Sequence, residues 1–359
     1  MDFLAKLIGV GIIILDLADI YLTVLFPSME SSILGSSLSK AIWYLFRLVA
    51  RIIPCKKEKV LSHSGPSFMV ATIAIWLSLL LCGFALIYWT ELGSGIQSSS
   101  GKTPTDFITA IYYSGYSLTT LGTGDLVPKT NSQRLLMILE AAIGFSIFTL
   151  SITYLLSVYS ALIRRKTFAL SLHYRTAGTA DATEILIRLA VSPDTVQADV
   201  NQMASNLINL LESQHSYSAI IYFRSLQPYY ALPRILFVLL DTATLIKSAL
   251  NINKYCSLID STAVAELWGG GMQMLLELSR SFVSHRYSNI NAELEQVWRQ
   301  RYYCAIEKLR AEGIETRRDL EAGANLYICL RQQWYGYIAE LADYTEFDWS
   351  EVAPLETRK

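Results

Sequence analysis

The chain has 359 residues, 52% of them hydrophobic and only 17% charged, with a formal net charge of −1. That is too apolar for an ordinary soluble protein and too charged for a pure membrane bundle, and it lacks the basic stripe that nucleic acid would require. Charge divides unevenly, with net +4 over residues 1–166 and −5 over 167–359, so a hydrophobic, basic-flanked front precedes a mildly acidic soluble back.

Phe3–Phe26 is the first apolar run, long enough to cross a hydrocarbon core that needs about 20 residues. No small-residue cleavage pattern follows it, so it reads as a retained membrane segment rather than a signal peptide. Asp16 and Asp19 lie inside this run and are expensive at that depth without partners. Ile33–Ile53 has helical periodicity and carries Lys40, Arg47 and Arg51. Two placements are open. In an antiparallel hairpin turning at Ser28–Ser32, Asp19 comes level with Lys40 and Asp16 lies near Arg47, giving buried ion pairs. Alternatively, 33–53 lies at the interface with its basic face on headgroups. If both segments span, the N-terminus lies on the same side as the C-terminus. Spacings of seven and four do not build the every-third-residue stripe of a voltage sensor.

Pro54–Ser64, with Lys56, Lys57 and Lys59, reads as a short basic cytoplasmic loop. Pro66–Thr90 is 25 residues without a charge, closed by Tyr88 and Trp89 as an interfacial aromatic belt. Glu91–Thr105 is polar and rich in Gly and Ser. Ala141–Ile163 is again uncharged, starts after an expected cap at Asn131–Ser132, and is anchored by Arg164, Arg165 and Lys166. Both basic clusters fall on one side and Glu91–Asn131 on the other.

Within that outer stretch lies FITAIYYSGYSLTTLGTGDLVP, residues 107–128. Alternating glycines let a strand adopt backbone angles closed to other residues, so that consecutive carbonyl oxygens point one way. Rings of such carbonyls replace the hydration shell of a cation. Thr120–Asp125, TLGTGD, resembles the T-V-G-Y-G-D signature of potassium channel pore loops. Ala110–Ser114 resembles the pore helix before it, and the resemblance covers Pro66 to Ile163. It implies that Thr120, Leu121, Gly122, Thr123 and Gly124 coordinate the permeant cation, and that Asp125 concentrates cations at the mouth. It also implies a homotetramer in the lipid bilayer, since the chain holds one pore loop, and a gating hinge at Gly144. Glu140 lies behind the filter, in reach of the pore helix. The family usually has Tyr or Phe where Thr123 stands; threonine keeps the carbonyl and loses the bulk, which bears directly on ion discrimination.

Residues 167–359 read as helical over Thr195–Ser213, Leu232–Asn251, Ser261–Val283, Ile290–Glu312 and Thr316–Tyr344, with helix starts at Asp194, Ser261 and Asn289. Gly269–Gly271 reads as a helix interruption rather than a phosphate cradle. No Rossmann fingerprint, cyclic-nucleotide roll or hydrolase constellation appears, and an enzyme is not expected. Five cysteines (Cys55, Cys82, Cys256, Cys304, Cys329) show no metal spacing and read as free thiols. No cofactor is expected beyond permeant potassium.

The expectation is an all-α membrane protein. A helical hairpin and basic loop (1–64) precede a potassium-channel-like pore module (65–166), and a soluble all-α cytoplasmic domain (167–359) follows. The function implied is a passive potassium-type channel of the plasma membrane without a voltage sensor, its tail open to an unidentified cytoplasmic regulator. A weakly selective cation pore and a non-conducting receptor or scaffold are the alternatives.

Overall fold

In the computed structural model, which describes residues 2–26, 35–53, 56–282 and 292–356, the first apolar run folds as α1 (Asp2–Ile20) and closes with a π turn over Tyr21–Leu25. The chain divides into two units, Met1–Ile52 with His63–Ser160 and Ile53–Ser62 with Ala161–Lys359. Among the described residues three segments are long and apolar enough to cross a membrane, Asp2–Leu25, Lys57–Trp89 and Asn131–Arg175. With helices throughout and one two-stranded sheet, this is an all-α membrane protein.

In the first unit, α1 packs along α4 (Ser64–Trp89), and glycine sets the distance between them. A Cβ on Gly9 would lie 2.5 Å from the Gly83 carbonyl oxygen, and one on Gly83 would lie 2.7 Å from Ile13 Cγ1. Small residues at a crossing let membrane helices approach this closely. The helices run antiparallel: Lys6 Nζ donates to Glu91 Oε1 at 2.5 Å at one end, and Trp76 Nε1 donates to Asp19 Oδ2 at 2.9 Å toward the other.

The helix α2 (Gly35–Ile52) also packs on α4 but does not reach the length and apolarity of the three spans. Of the charges expected to pair, Lys40 is exposed, both buried carboxylate oxygens of Asp16 lack a hydrogen-bond partner among the described residues, and Asp19 accepts from the indole of Trp76. The indole is in reach because α1 lies against α4. The turn expected at Ser28–Ser32 lies outside the described residues.

Over its described residues the expected basic loop is largely helical: Lys57–Ser62 forms α3 and leads into α4. After α4, β1 (Ile96–Ser98) pairs antiparallel with β2 (Leu126–Pro128), so the strands before and after the pore loop clamp its two ends. Between them, α5 (Phe107–Leu118) starts at Asp106, whose side chain accepts from the Thr109 backbone N–H at 3.1 Å. That cap satisfies a donor the first helical turn would otherwise leave open. The long helix α6 (Asn131–Arg175) then supplies residues to both units.

The second unit contains α7 (Thr183–Ile187), α8 (Pro193–Ser216), α9 (Leu232–Ala249), α10 (Ile252–Ile259), α11 (Thr262–Phe282), α12 (Ala292–Ala311), α13 (Leu320–Tyr344) and α14 (Trp349–Val352). Its centre is α9, where every residue but Lys247 is buried, the polar ones among them included. The expected interruption at Gly269–Gly271 is absent, and α11 runs through it. Gly271 lies where a Cβ would come 2.8 Å from Leu240 of α9, so close packing rather than a turn explains the glycine. The helix start expected at Asn289 lies outside the described residues, as does Cys55; Cys82, Cys256, Cys304 and Cys329 are unpaired.

Candidate functional site

The pore loop leaves α5 at Thr119 and runs through Thr120–Asp125 with every residue exposed in the single chain. Thr120, Gly122 and Gly124 have φ of +58°, +59° and +76°, while Leu121 and Thr123 between them stay negative. In an ordinary strand successive carbonyls alternate sides. Reversing the hand of every second residue brings them to the same side, which is the arrangement a carbonyl-lined cation path needs. Glycine takes a left-handed φ without steric cost, whereas Thr120 takes it at an expense of about 1 kcal/mol.

The base of this loop is tied by backbone. The N–H groups of Leu121 and Gly122 both reach the Tyr116 carbonyl, at 2.9 and 3.4 Å. The upper part is tied by side chains. Tyr112 Oη donates to Thr123 Oγ1 at 3.1 Å, and Thr123 Oγ1 donates to Asp125 Oδ1 at 2.6 Å. The Thr123 hydroxyl, and after it that of Tyr112, hold the exposed Asp125 carboxyl below the ordinary carboxylate range. Ser99 N–H donates to the Asp125 carbonyl at 2.7 Å and joins the mouth to the β1 edge.

Behind the loop stands a tyrosine cluster. Tyr112 and Tyr116 meet edge to face at 5.3 Å, Tyr113 and Tyr116 at 5.2 Å, and Tyr88 and Tyr113 at 4.7 Å. Such pairs each add about 0.5–1.5 kcal/mol beyond their burial. Tyr116 Oη donates to the Leu126 carbonyl at 2.6 Å, pinning the far side of the mouth. Deeper in, fully buried Glu140 of α6 accepts from Ser114 Oγ at 2.5 Å and Tyr88 Oη at 2.9 Å, linking α6, α5 and α4 through one side chain.

The structure gives Gly144 a packing role. A Cβ there would lie 2.2 Å from the Leu118 carbonyl oxygen, and α6 continues through this position unbroken. The site residues expected from sequence thus separate: Thr120–Asp125 form one continuous loop, and Gly144 seats the end of α5. Asp16, Asp19, Lys40 and Arg47 lie on α1 and α2, away from it. Sequence reading did not find the Tyr112–Thr123–Asp125 chain. The one available signal was a threonine flanked by glycines eleven residues after a tyrosine.

Residues 75–161, from the second half of α4 to the middle of α6, match the family model described as "Ion channel". These residues resemble an ion channel domain. Over 169 residues the chain is also 37% identical to an uncharacterized membrane protein of Bacillus subtilis (strain 168), YdjJ, a match covering 46% of this chain and 48% of that protein. The chain therefore spans about half the length of the curated relative it matches. No solved structure matches it. The channel domain holds the whole pore loop, Glu140 and Gly144, so the geometry above is geometry of that domain.

Proposed function

We propose that the protein is a potassium-selective channel that conducts passively through a homotetramer and carries no voltage sensor. The observation that carries this reading is the alternating hand of the backbone at Thr120, Gly122 and Gly124, set in an otherwise exposed loop of an ion channel domain. Leu121, Gly122, Thr123 and Gly124 supply carbonyls to the ion, Thr120 adds its hydroxyl at the inner end, and Asp125 draws cations to the mouth. A single loop gives one quarter of such a ring, so four copies close it.

The single chain leaves surface for that assembly. Leu135, Ile138, Phe145 and Phe148 on α6 are exposed, and an apolar groove of about 580 Å³ runs beside the base of the loop, lined in part by Leu81, Leu118, Thr120 and Phe148. The basic stretches Lys56–Lys59 and Arg164–Lys166 support a cytoplasmic side for the residues that follow α6, since basic flanks favour that side.

Potassium-loaded liposomes containing the purified full-length chain test the reading, together with light scattering in detergent. Potassium efflux on dissipation of the counter-charge is expected, along with a particle of four chains. A sealed vesicle or a monomeric particle would overturn the reading. Gly124→Ala is the control that separates efflux through the loop from leak.

A further inference from the structure

We propose that Thr123 sets the ion discrimination of this pore through its hydroxyl, as the middle member of a Tyr112–Thr123–Asp125 relay. The proposal rests on the reading of the loop as a cation filter and names the residue on which its specificity depends.

A ring of carbonyls discriminates between cations only if its members hold their positions and field when a smaller ion enters. The inner half of the loop meets that need through its backbone, since Leu121 and Gly122 both bond to the Tyr116 carbonyl. Thr123 and Gly124 make no such backbone bond among the described residues. What ties Thr123 itself to the scaffold is its hydroxyl, while Asp125 beyond it is also held by the Tyr112 hydroxyl and by the Ser99 N–H. Thr123 Oγ1 accepts from Tyr112 at 3.1 Å and uses its single proton on Asp125 Oδ1 at 2.6 Å. A hydroxyl can accept and donate at once, which a methyl group in its place cannot.

The donor at the start of the relay is itself fixed. Tyr112 sits on α5 four residues before Tyr116 and packs edge to face against it, and Tyr116 is pinned by its bond to the Leu126 carbonyl. The acceptor at the end is ionised, and hydrogen bonds to a charged partner are about twice as strong as neutral ones. The relay therefore links the pore helix, the outermost carbonyls and the mouth carboxylate in one chain of bonds. Bulk at position 123 plays no part in it. Thr123 is a positioning residue for its own carbonyl and for the Asp125 charge.

The test is the potassium/sodium permeability ratio, from bi-ionic reversal potentials of the full-length channel in planar bilayers. Thr123→Val keeps the shape and removes the hydroxyl, and it is expected to lower the ratio by about tenfold or more. Thr123→Ser restores the hydroxyl and is expected to recover the ratio that Val loses. Tyr112→Phe should lower it in the same direction, and the double variant with Thr123→Val should be no worse than Thr123→Val alone, because both remove one relay. An unchanged ratio in Thr123→Val, or a loss in Thr123→Ser as large as in Val, would overturn the proposal. Should Thr123→Val fail to assemble, Tyr112→Phe decides: an unchanged ratio there also overturns it. A wild-type protein that conducts no cation at all would fail earlier, at the filter reading, and the two failures are thereby distinguished.

Discussion

At Thr120, Gly122 and Gly124 the backbone takes left-handed angles that side chains resist, and the cost differs among the three. Nothing lies within 4 Å of a Cβ built on Gly122 or Gly124, so replacing either is a matter of backbone conformation alone. Gly122→Ala should cost about 1–2 kcal/mol per subunit and abolish potassium flux while leaving the assembled particle intact, measured by liposome efflux and light scattering. Asp125 gives a prediction in pH. Its carboxyl is held below the ordinary range by the Thr123 hydroxyl first and Tyr112 next, so the charge at the mouth persists until the solution is more acid than the ordinary carboxylate range. Lowering the pH from outside should therefore reduce single-channel current only below that point, and Thr123→Val should move the midpoint upward. The filter could be read from sequence because its function fixes residue types at consecutive positions. The relay could not, because whether Tyr112, Tyr113 or Tyr116 meets Thr123 depends on the rotation of α5 about its axis, and three tyrosines within five residues leave that open.

The elements of the first unit are held by close contacts that leave little trace in hydropathy. α1 and α4 touch where Gly9 meets Gly83, and a side chain at either glycine must push the helices apart. Gly83→Leu should cost about 1–3 kcal/mol and release α1, which limited proteolysis or cysteine crosslinking between positions 6 and 91 would report as lost proximity. Gly144→Ala puts a methyl into the Leu118 carbonyl and should displace the end of the pore helix, so altered ion discrimination is expected from it as well as altered opening. Helix existence was legible throughout because apolar residues recur at helical spacing. Partnership was not. Charges on α1 and α2 said nothing of the approach of α1 to α4 at Gly9 and Gly83, which brings Asp19 to Trp76. For the same reason Gly269–Gly271 looked like a break: a glycine needed for packing and one needed for a turn are the same letter.

Across the whole molecule the second unit is organised by a buried charge network around α9. Asp241 and Arg331 are both fully buried; Tyr327 Oη donates to Asp241 Oδ1 at 2.7 Å, Arg331 Nη1 to the same oxygen at 3.0 Å, and Arg301 Nη2 to Oδ2 at 2.5 Å. Arg331 also reaches Glu356, and Arg301 lies 3.6 Å from Asp181, which takes Lys308 at 2.8 Å. Removing one member leaves the others buried without compensation. Arg331→Met should therefore destabilise this unit by about 3–5 kcal/mol, seen as a lowered unfolding midpoint in thermal or denaturant melts. Burial pushes the Asp181 carboxyl up, but Arg301, Lys308 and Thr183 together hold it below its ordinary value. Its contribution to stability is thus complete above the unfolded carboxylate range and lost as the pH falls through the folded one. None of this network was visible in the sequence, since its members lie on three helices, α9, α12 and α13, and on the non-helical stretches at Asp181 and Glu356, far apart in the chain. The channel domain was visible because its defining residues are contiguous.

The measurement that bears most directly on the central claim is the reversal potential of the purified full-length protein in a planar bilayer, with potassium on one side and sodium on the other. A reversal close to the potassium equilibrium potential is the expected result, and would mean that a filter with threonine at position 123 still excludes sodium. A reversal near zero would contradict it, leaving a general cation pore.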